Sequence, residues 1–379
     1  MAKTVFVGMS GGVDSSVAAA LLKEQGYHVV GAYMKNWSRD LPGMKCPWAE
    51  DLADAKRIAV RLGIDFLVFD FEAEYKNKVV DYMLAEFKKG RTPNPDIMCN
   101  QEIKFKLFYD VARAHGADFI ATGHYAQVKD GELMRAVDEN KDQTYFLYRI
   151  SSEALQHTLF PIGHLTKPEV KKLAEKYGFH NAHKKESMGV CFVGEVEICD
   201  FLKQYINLKP GEIRDAETDE VLGHHEGAYF YTIGQRHGLY LGGGLPYYVV
   251  KKDIKNSIVY VSKDLNSPNL WVDELELEDV VLRGGSGQCS FEGHPERGSA
   301  RLSADRPCRR AEPTRSEKEA LPAIPVQARL RHRAPLIPAT FNGQKIHFKD
   351  QIKAIAPGQS IVFYGGKDNQ TCLGGGIVK

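Results

Sequence analysis

The chain has 379 residues, 43% hydrophobic and 26% charged, which is enough for two or three domains and lies outside the composition of a wholly disordered chain. No apolar run reaches the roughly 18 residues of a bilayer span, and no secretory-type apolar segment follows Met1, so the expectation is a cytoplasmic protein with no membrane partner. The net charge of +1 excludes one uniform basic surface, but the average hides an asymmetry: Lys and Arg trail Asp and Glu 34 to 41 over residues 1–282, then lead 11 to 6 over 283–333 and 5 to 2 over 334–379.

In chain order, apolar β-like runs at 4–7, 28–33, 66–70 and 119–122 alternate with amphipathic stretches at 16–25, 50–62, 72–89 and 103–114. That alternation predicts a doubly wound α/β domain with a parallel sheet over about residues 1–207, whose ligands bind at the carboxyl ends of the strands. From residue 208 the helical periodicity stops. Glycine- and aromatic-rich runs at 227–231, 242–250 and 258–261 predict hairpins of a small β-rich central domain over 208–265. Runs at 339–341, 345–348, 360–364 and 374–378 predict a C-terminal β-barrel over 266–379. Residues 284–325, rich in Gly, Pro, Ser, Arg and Glu without periodicity, are expected to form a flexible insert in it.

Seven cysteines (Cys46, Cys99, Cys191, Cys199, Cys289, Cys308 and Cys372) show neither CxxC nor finger spacing, which disfavours a zinc ribbon or a secreted disulfide scaffold. The densest signal is the run Gly8, Met9, Ser10, Gly11, Gly12, Val13, Asp14, Ser15 and Ser16, between the first strand and the first helix. Glycines admit a close anion, successive N–H groups form a cradle, and a helix amino terminus favours phosphate. The run lacks the GK[ST] ending of a γ-phosphate transferase and the GxGxxG of dinucleotide folds. A tight turn with a serine cap would explain only part of it.

Residues 10–15 (SGGVDS) resemble the pyrophosphatase loop of the N-type ATP pyrophosphatases, enzymes that adenylylate an oxygen and release pyrophosphate. Residues 94–100 (NPDIMCN), 121–125 (ATGHY), 141–147 (KDQTYFL), 189–192 (GVCF), 232–236 (TIGQR), 357–364 (PGQSIVFY) and 374–376 (GGG) follow in order. This series is similar to the tRNA-specific 2-thiouridylase family, the bacterial MnmA or TrmU type, over nearly the whole chain except the insert.

The resemblance implies a tRNA-uridine 2-sulfurtransferase: ATP adenylylates the C2 oxygen of the wobble uridine, position 34, and a cysteine persulfide supplies sulfur, giving 2-thiouridine, AMP and pyrophosphate. It implies catalytic roles for Asp14, Cys99 and Cys191, with Cys191 carrying the persulfide, Cys99 resolving it, and a transient disulfide between them. Gly8, Met9, Ser10, Gly11, Gly12, Val13, Asp14, Ser15, Met34 and Gly123 would surround ATP, and Asn94, Pro95 and Asp96 would face the target base. His124, Lys141, Asp142, Gln143, Arg331, His332 and Gln359 would contact tRNA; at Arg331 and His332 the family has an Arg-Tyr pair, so one ring replaces another. Implied partners are the tRNA anticodon arm and a sulfur-relay or cysteine desulfurase donor, with Mg²⁺ arriving on ATP and no protein ligand assigned to it.

The residues alone leave alternatives. Cys99, just before the helix expected from Ile103, has the placement of a reactive thiolate but also suits an ordinary buried thiol. His124 suits a loop histidine and Lys141 with Asp142 a solvated turn. Asp96, Cys99 and Cys191 would also serve as ligands of an iron–sulfur cluster, though three ligands without a tight cysteine motif make this the weaker reading. A pyrophosphatase acting on a small molecule and a catalytically silent RNA-binding protein are the competing functions.

Overall fold

The computed structural model describes residues 2–40, 46–185, 198–207, 209–242, 244–264, 266–267, 270–283 and 323–379. Cys191 with its neighbours at 189–192, and the insert as far as residue 322, lie outside the described residues.

The first domain contributes seven strands: β1 (Thr4–Gly8), β2 (His28–Lys35), β3 (Asp65–Asp70), β4 (Phe119–Thr122), β5 (Gln127–Lys129), β6 (Glu132–Met134) and β7 (Thr158–Leu159). Five form a parallel sheet in the order β3-β2-β1-β4-β7. Alternation along β1 assigns its faces: Val5 and Val7 join one core with Val17, Ala18 and Ala19 of helix Val13–Glu24, while Phe6 joins the other with Tyr75, Met83 and Phe108. Helices cover both faces, as a doubly wound sheet requires. Chain order reverses between β1 and β4, which puts the ligand-binding crevice at their carboxyl ends.

Two expected helices differ in detail. The stretch from Glu72 runs as Glu72–Tyr75, a π-type turn Lys76–Val80, and Asp81–Lys88. The helix expected from Ile103 starts at Pro95 and runs as Pro95–Met98, a π-helical stretch Cys99–Leu107, and Phe108–Ala114. Asn94 is the reason, because its side chain accepts from the backbone N–H of Asp96 at 3.1 Å and of Ile97 at 3.3 Å, with proline directly after it.

The central domain is a four-stranded sheet of β8 (Gly211–Asp215), β9 (Val221–His225), β10 (Tyr248–Asp253) and β11 (Ile258–Ser262), ordered β10-β11-β8-β9 over a core of Ile213, Val249, Val259 and Val261. The expected strand at 227–231 is instead a short helical turn, Ala228–Phe230, whose Ala228 closes that core.

The third domain is a closed barrel of β12 (Trp271–Leu282), β13 (Ile324–Arg329), β14 (Ile337–Phe341), β15 (Lys345–Lys353), β16 (Ser360–Gly365) and β17 (Thr371–Val378). The ring order is β12-β15-β14-β13-β16-β17, and β12 closes on β17 through Leu277 opposite Val378. Every neighbouring pair is antiparallel. One consequence corrects the sequence reading: Ile324 and Pro325, taken as insert, open strand β13, and the strands before and after the insert, β12 and β13, lie on opposite sides of the ring. The β5–β6 hairpin of the first domain extends this sheet through Met134 opposite Thr371. No described helix is long and apolar enough to cross a membrane.

Candidate active site

The glycine loop leaves the carboxyl end of β1 between Ala32 of β2 and Thr122 of β4, the register partners of Gly8. Met34 lies two residues beyond one partner and Gly123 one beyond the other, so the residues expected around ATP converge at the crevice. Gly11 needs its φ of +75° to turn the chain, and Gly12 caps helix Val13–Glu24 without a side-chain cap, leaving first-turn N–H groups for an anion. Gly123 lies so close that a Cβ there would stand 2.5 Å from Ser15 N and 2.7 Å from Asp14 C. The hydroxyls of Ser15 and Ser16 both donate to Gly12 O, at 3.2 and 2.8 Å, and thereby brace the loop. Ser10 Oγ lies 3.3 Å from Ser15 Oγ.

Asp14 is the loop's charged member, and three residues outside the loop hold it and its neighbours. Lys167 Nζ donates to its two carboxylate oxygens at 2.7 and 2.9 Å, and Tyr125 OH donates to Oδ1 at 3.1 Å. Asn181 Nδ2, fully buried, donates to Gly11 O at 3.0 Å and contacts Ser16 Oγ at 3.1 Å. None of Lys167, Tyr125 and Asn181 was singled out as a site residue from sequence. Lys167 had a signal: Thr166 and Glu169 form a capping box and Pro168 follows, marking a helix whose first residue is Lys167.

Cys99 sits at the start of the π-helical stretch, five residues past Asn94, and is 0% exposed. The helix that carries it precedes β4, so in a parallel sheet its amino end lies at the carboxyl ends of the strands, the same end as the glycine loop. Asn100 beside it donates from Nδ2 to Phe146 O at 3.2 Å. Asn94, Pro95 and Asp96 form the first turn of the same helix, so the structure brings the base-facing candidates to within one turn of Cys99. Cys191 lies outside the described residues. Among those described, no group of three or more His, Cys, Asp or Glu is arranged to hold a metal ion.

The residues expected to touch tRNA divide into two sets. Gln143 locks the loop after β4 by exchanging bonds with Tyr125, 2.8 Å from Tyr125 N to Gln143 Oε1 and 2.9 Å from Gln143 N to Tyr125 O. His124 is wedged between Thr122, Lys104, Phe105 and Phe160, and burial beside the Lys104 ammonium holds its pKa well below the usual value, so it is neutral. Asp142 is buried, with Arg329 Nη1 at 2.6 Å and Thr144 Oγ1 at 2.9 Å, and its carboxylate is spent inside the protein.

In the second set, Arg331 and Gln359 line a cleft of about 330 Å³ where the three domains meet, together with Thr92, Thr232, Gly234 and Gln235. Gln359 Nε2 donates to Thr92 O at 2.6 Å, and Thr92 Oγ1 lies 3.3 Å from Thr232 Oγ1. Arg331 is exposed. His332 packs against Phe146 with ring centres 4.6 Å apart and the planes tilted by 44°, and Phe146 is the residue whose carbonyl holds Asn100. Barrel, cleft and Cys99 helix are therefore joined by direct contacts.

Comparison with known proteins gives this arrangement relatives. Residues 3–195 match the family described as tRNA methyl transferase HUP domain, 199–263 the tRNA methyl transferase PRC-barrel domain, and 310–378 the aminomethyltransferase beta-barrel domain. The chain is 44% identical over 387 residues to the tRNA-specific 2-thiouridylase MnmA of Idiomarina loihiensis, covering 100% of this chain and 96% of that one. It is 44% identical to the protein of the same name from Listeria innocua, covering 99% and 94%, and 42% identical to that of Pseudomonas fluorescens, covering 100% and 95%. Identity at this level over the whole chain, with a family model matched in each of the three domains, means that this chain belongs to the tRNA-specific 2-thiouridylase family.

Proposed function

We propose that the protein converts the wobble uridine of tRNA, position 34 in the anticodon arm, into 2-thiouridine in the cytoplasm, using ATP and a persulfide. The observation that carries this reading is that the anion-binding loop and the Cys99 helix open at the same end of one parallel sheet, beside a cleft bordered by the third domain. A uridine C2 carbonyl is a poor electrophile. Attack of its oxygen on the α-phosphorus of ATP breaks the α–β P–O bond and releases pyrophosphate, and the adenylylated oxygen can then leave as AMP. The loop's N–H groups hold the polyphosphate, Asp14 with its partners braces the loop around it, and Met34 and Gly123 border the nucleotide. Mg²⁺ comes as part of the ATP substrate.

The target base has to leave its stack to reach this chemistry, and Asn94, Pro95 and Asp96 border the route to Cys99. A donor protein loads sulfur on Cys191 as a persulfide. Cys99 attacks the inner sulfur, forms a disulfide with Cys191 and frees the outer sulfur as hydrosulfide, which replaces the adenylylated oxygen at C2; a thiol reductant then regenerates both cysteines. Arg331, Gln359 and Lys141 supply polar contacts for the anticodon arm.

The test is to incubate the protein with unmodified tRNA, ATP and a sulfide source and to analyse tRNA nucleosides by mass spectrometry and nucleotides by chromatography. 2-Thiouridine at position 34 with AMP and pyrophosphate is expected. ADP and phosphate as the main products would overturn the adenylylation step. Cys191→Ser is expected to lose persulfide loading from a protein donor, and Cys99→Ser to load but not release sulfur, both retaining pyrophosphate release. A persulfide on Cys99 in Cys191→Ser would reverse the two roles.

A further inference from the structure

We propose that Lys167 is a positioning residue of the pyrophosphate site, acting through Asp14; this rests on the adenylylating reading above. A helix amino terminus offers an anion roughly half a positive charge. Asp14, at the second position of that helix, sets a full negative charge beside it. Unopposed, the carboxylate would turn the cradle against polyphosphate. Lys167 contacts both carboxylate oxygens and is only 10% exposed on its side chain, whereas Asp14 is 29% exposed and open to the crevice. The pair therefore leaves the loop's own donors to set the sign of the site.

The anchoring of Lys167 exceeds that of a surface ion pair. Its backbone N–H donates to Asp138 Oδ2 at 2.9 Å, its helix is started by the Thr166 and Glu169 capping box, and its ammonium lies 5.8 Å from the centre of the Tyr125 ring, whose hydroxyl binds the same carboxylate. Tyr125 is in turn locked by Gln143. Little side-chain entropy remains to be lost when the anion arrives, the condition under which a charge contributes to binding. During adenylylation the bond from the α-phosphorus to the bridging oxygen breaks, its electron pair leaves on pyrophosphate, and negative charge grows at the loop. Lys167 keeps Asp14 oriented and electrically silent while it does.

Full-length Lys167→Met, Lys167→Arg and the double variant Asp14→Asn with Lys167→Met test this by calorimetric binding of inorganic pyrophosphate and by AMP release with tRNA and ATP. Lys167→Met is expected to weaken pyrophosphate binding and raise the KM for ATP at least tenfold. Lys167→Arg should recover most of that loss, and the double variant should bind pyrophosphate at least threefold tighter than Lys167→Met because the exposed charge is gone. If Lys167→Met does not fold, the arginine and double variants are read against wild type: pyrophosphate affinity within about threefold of wild type is expected for both, and a loss of about tenfold in the double variant overturns the proposal. Unchanged pyrophosphate binding in Lys167→Met, or a double variant no better than it, overturns the proposal. A wild-type protein that forms no AMP defeats the adenylylating reading instead, and pyrophosphate binding still decides on Lys167.

Discussion

Two carboxylates, Asp14 and Asp142, each pair with a cation at hydrogen-bond distance, yet the regions around them are built for different ends. Asp14 lies at the lip of a crevice, 29% exposed, with Lys167 at 2.7 Å. Asp142 is 0% exposed, Arg329 of the barrel reaches it at 2.6 Å, and Thr144, which binds it, also contacts Tyr364 OH at 3.0 Å. Depth separates them: the first pair can meet a ligand, whereas the second joins two domains and has no face left to offer. A residue beside a functional motif in sequence is thus as readily a tie between domains as a contact to substrate.

The largest effect expected from this contrast is on stability. Asp142→Ala leaves Arg329, 5% exposed, without its carboxylate and Arg135 with Glu139 alone. Breaking a buried ion pair from one side costs about 3–5 kcal/mol, a large share of the roughly 5–15 kcal/mol typical of folded proteins. Urea denaturation followed by near-ultraviolet circular dichroism measures it. A loss below about 1 kcal/mol would mean that the seam is a solvated turn after all.

Asp14→Asn should show the opposite pattern. An amide oxygen here still accepts a hydrogen bond from Lys167, so the stability loss stays below that at Asp142, while AMP and pyrophosphate formation falls by about 100-fold or more because the Lys167 charge is no longer neutralised beside the loop, the scale of disturbing one organised group in an active site. Equal losses of stability at Asp14 and Asp142 would erase the distinction drawn here.

The sequence disclosed these two regions unequally for physical reasons. Short apolar strands and amphipathic crossovers marked the parallel sheet, and the glycine string marked its crevice, because both are local patterns. The start of the Cys99 helix was equally local, in Asn94 and Pro95, but those residues were read only as base-facing candidates. Strand β12 alternates Glu274, Leu275, Glu276, Leu277 and Glu278, a period-two pattern overshadowed by its acidic face. The partnership of Asp142 with Arg329 spans 187 positions and follows from domain packing alone, so no local pattern carries it.

A smaller effect tests how tightly the crevice is built. In Gly123→Ala the new methyl group meets backbone atoms of Asp14 and Ser15, which cannot rotate away. Overpacking of this kind costs about 1–3 kcal/mol. The loop is expected to shift and the KM for ATP to rise, while Gly242→Ala, at a position where a Cβ meets nothing within 4 Å, should leave that KM unchanged. Comparable KM values in the two variants would show that the close approach does not shape the nucleotide site.

The smallest expected effect is a pH dependence confined to the seam. Burial lowers the pKa of His332 to about 4, with Arg333 opposing protonation further, where the ring packs against Phe146. The free value is about 6.5. Between these two values the unfolded chain binds a proton that the folded chain refuses, so His332 draws stability down as pH falls from about 6.5 to about 4, and no further below that. Its partial exposure screens the effect and keeps it small. His332→Phe retains a ring against Phe146 and removes the titration, so the difference in melting temperature between wild type and variant should move in the variant's favour across this interval and stay constant above pH 7. The difference between wild type and Asp14→Asn should show no such step from His332, because both proteins carry the histidine. A pH-independent difference for His332→Phe would mean that the ring is solvated enough to titrate normally, and the barrel's contact with the Cys99 helix would then be looser than its 4.6 Å ring separation implies.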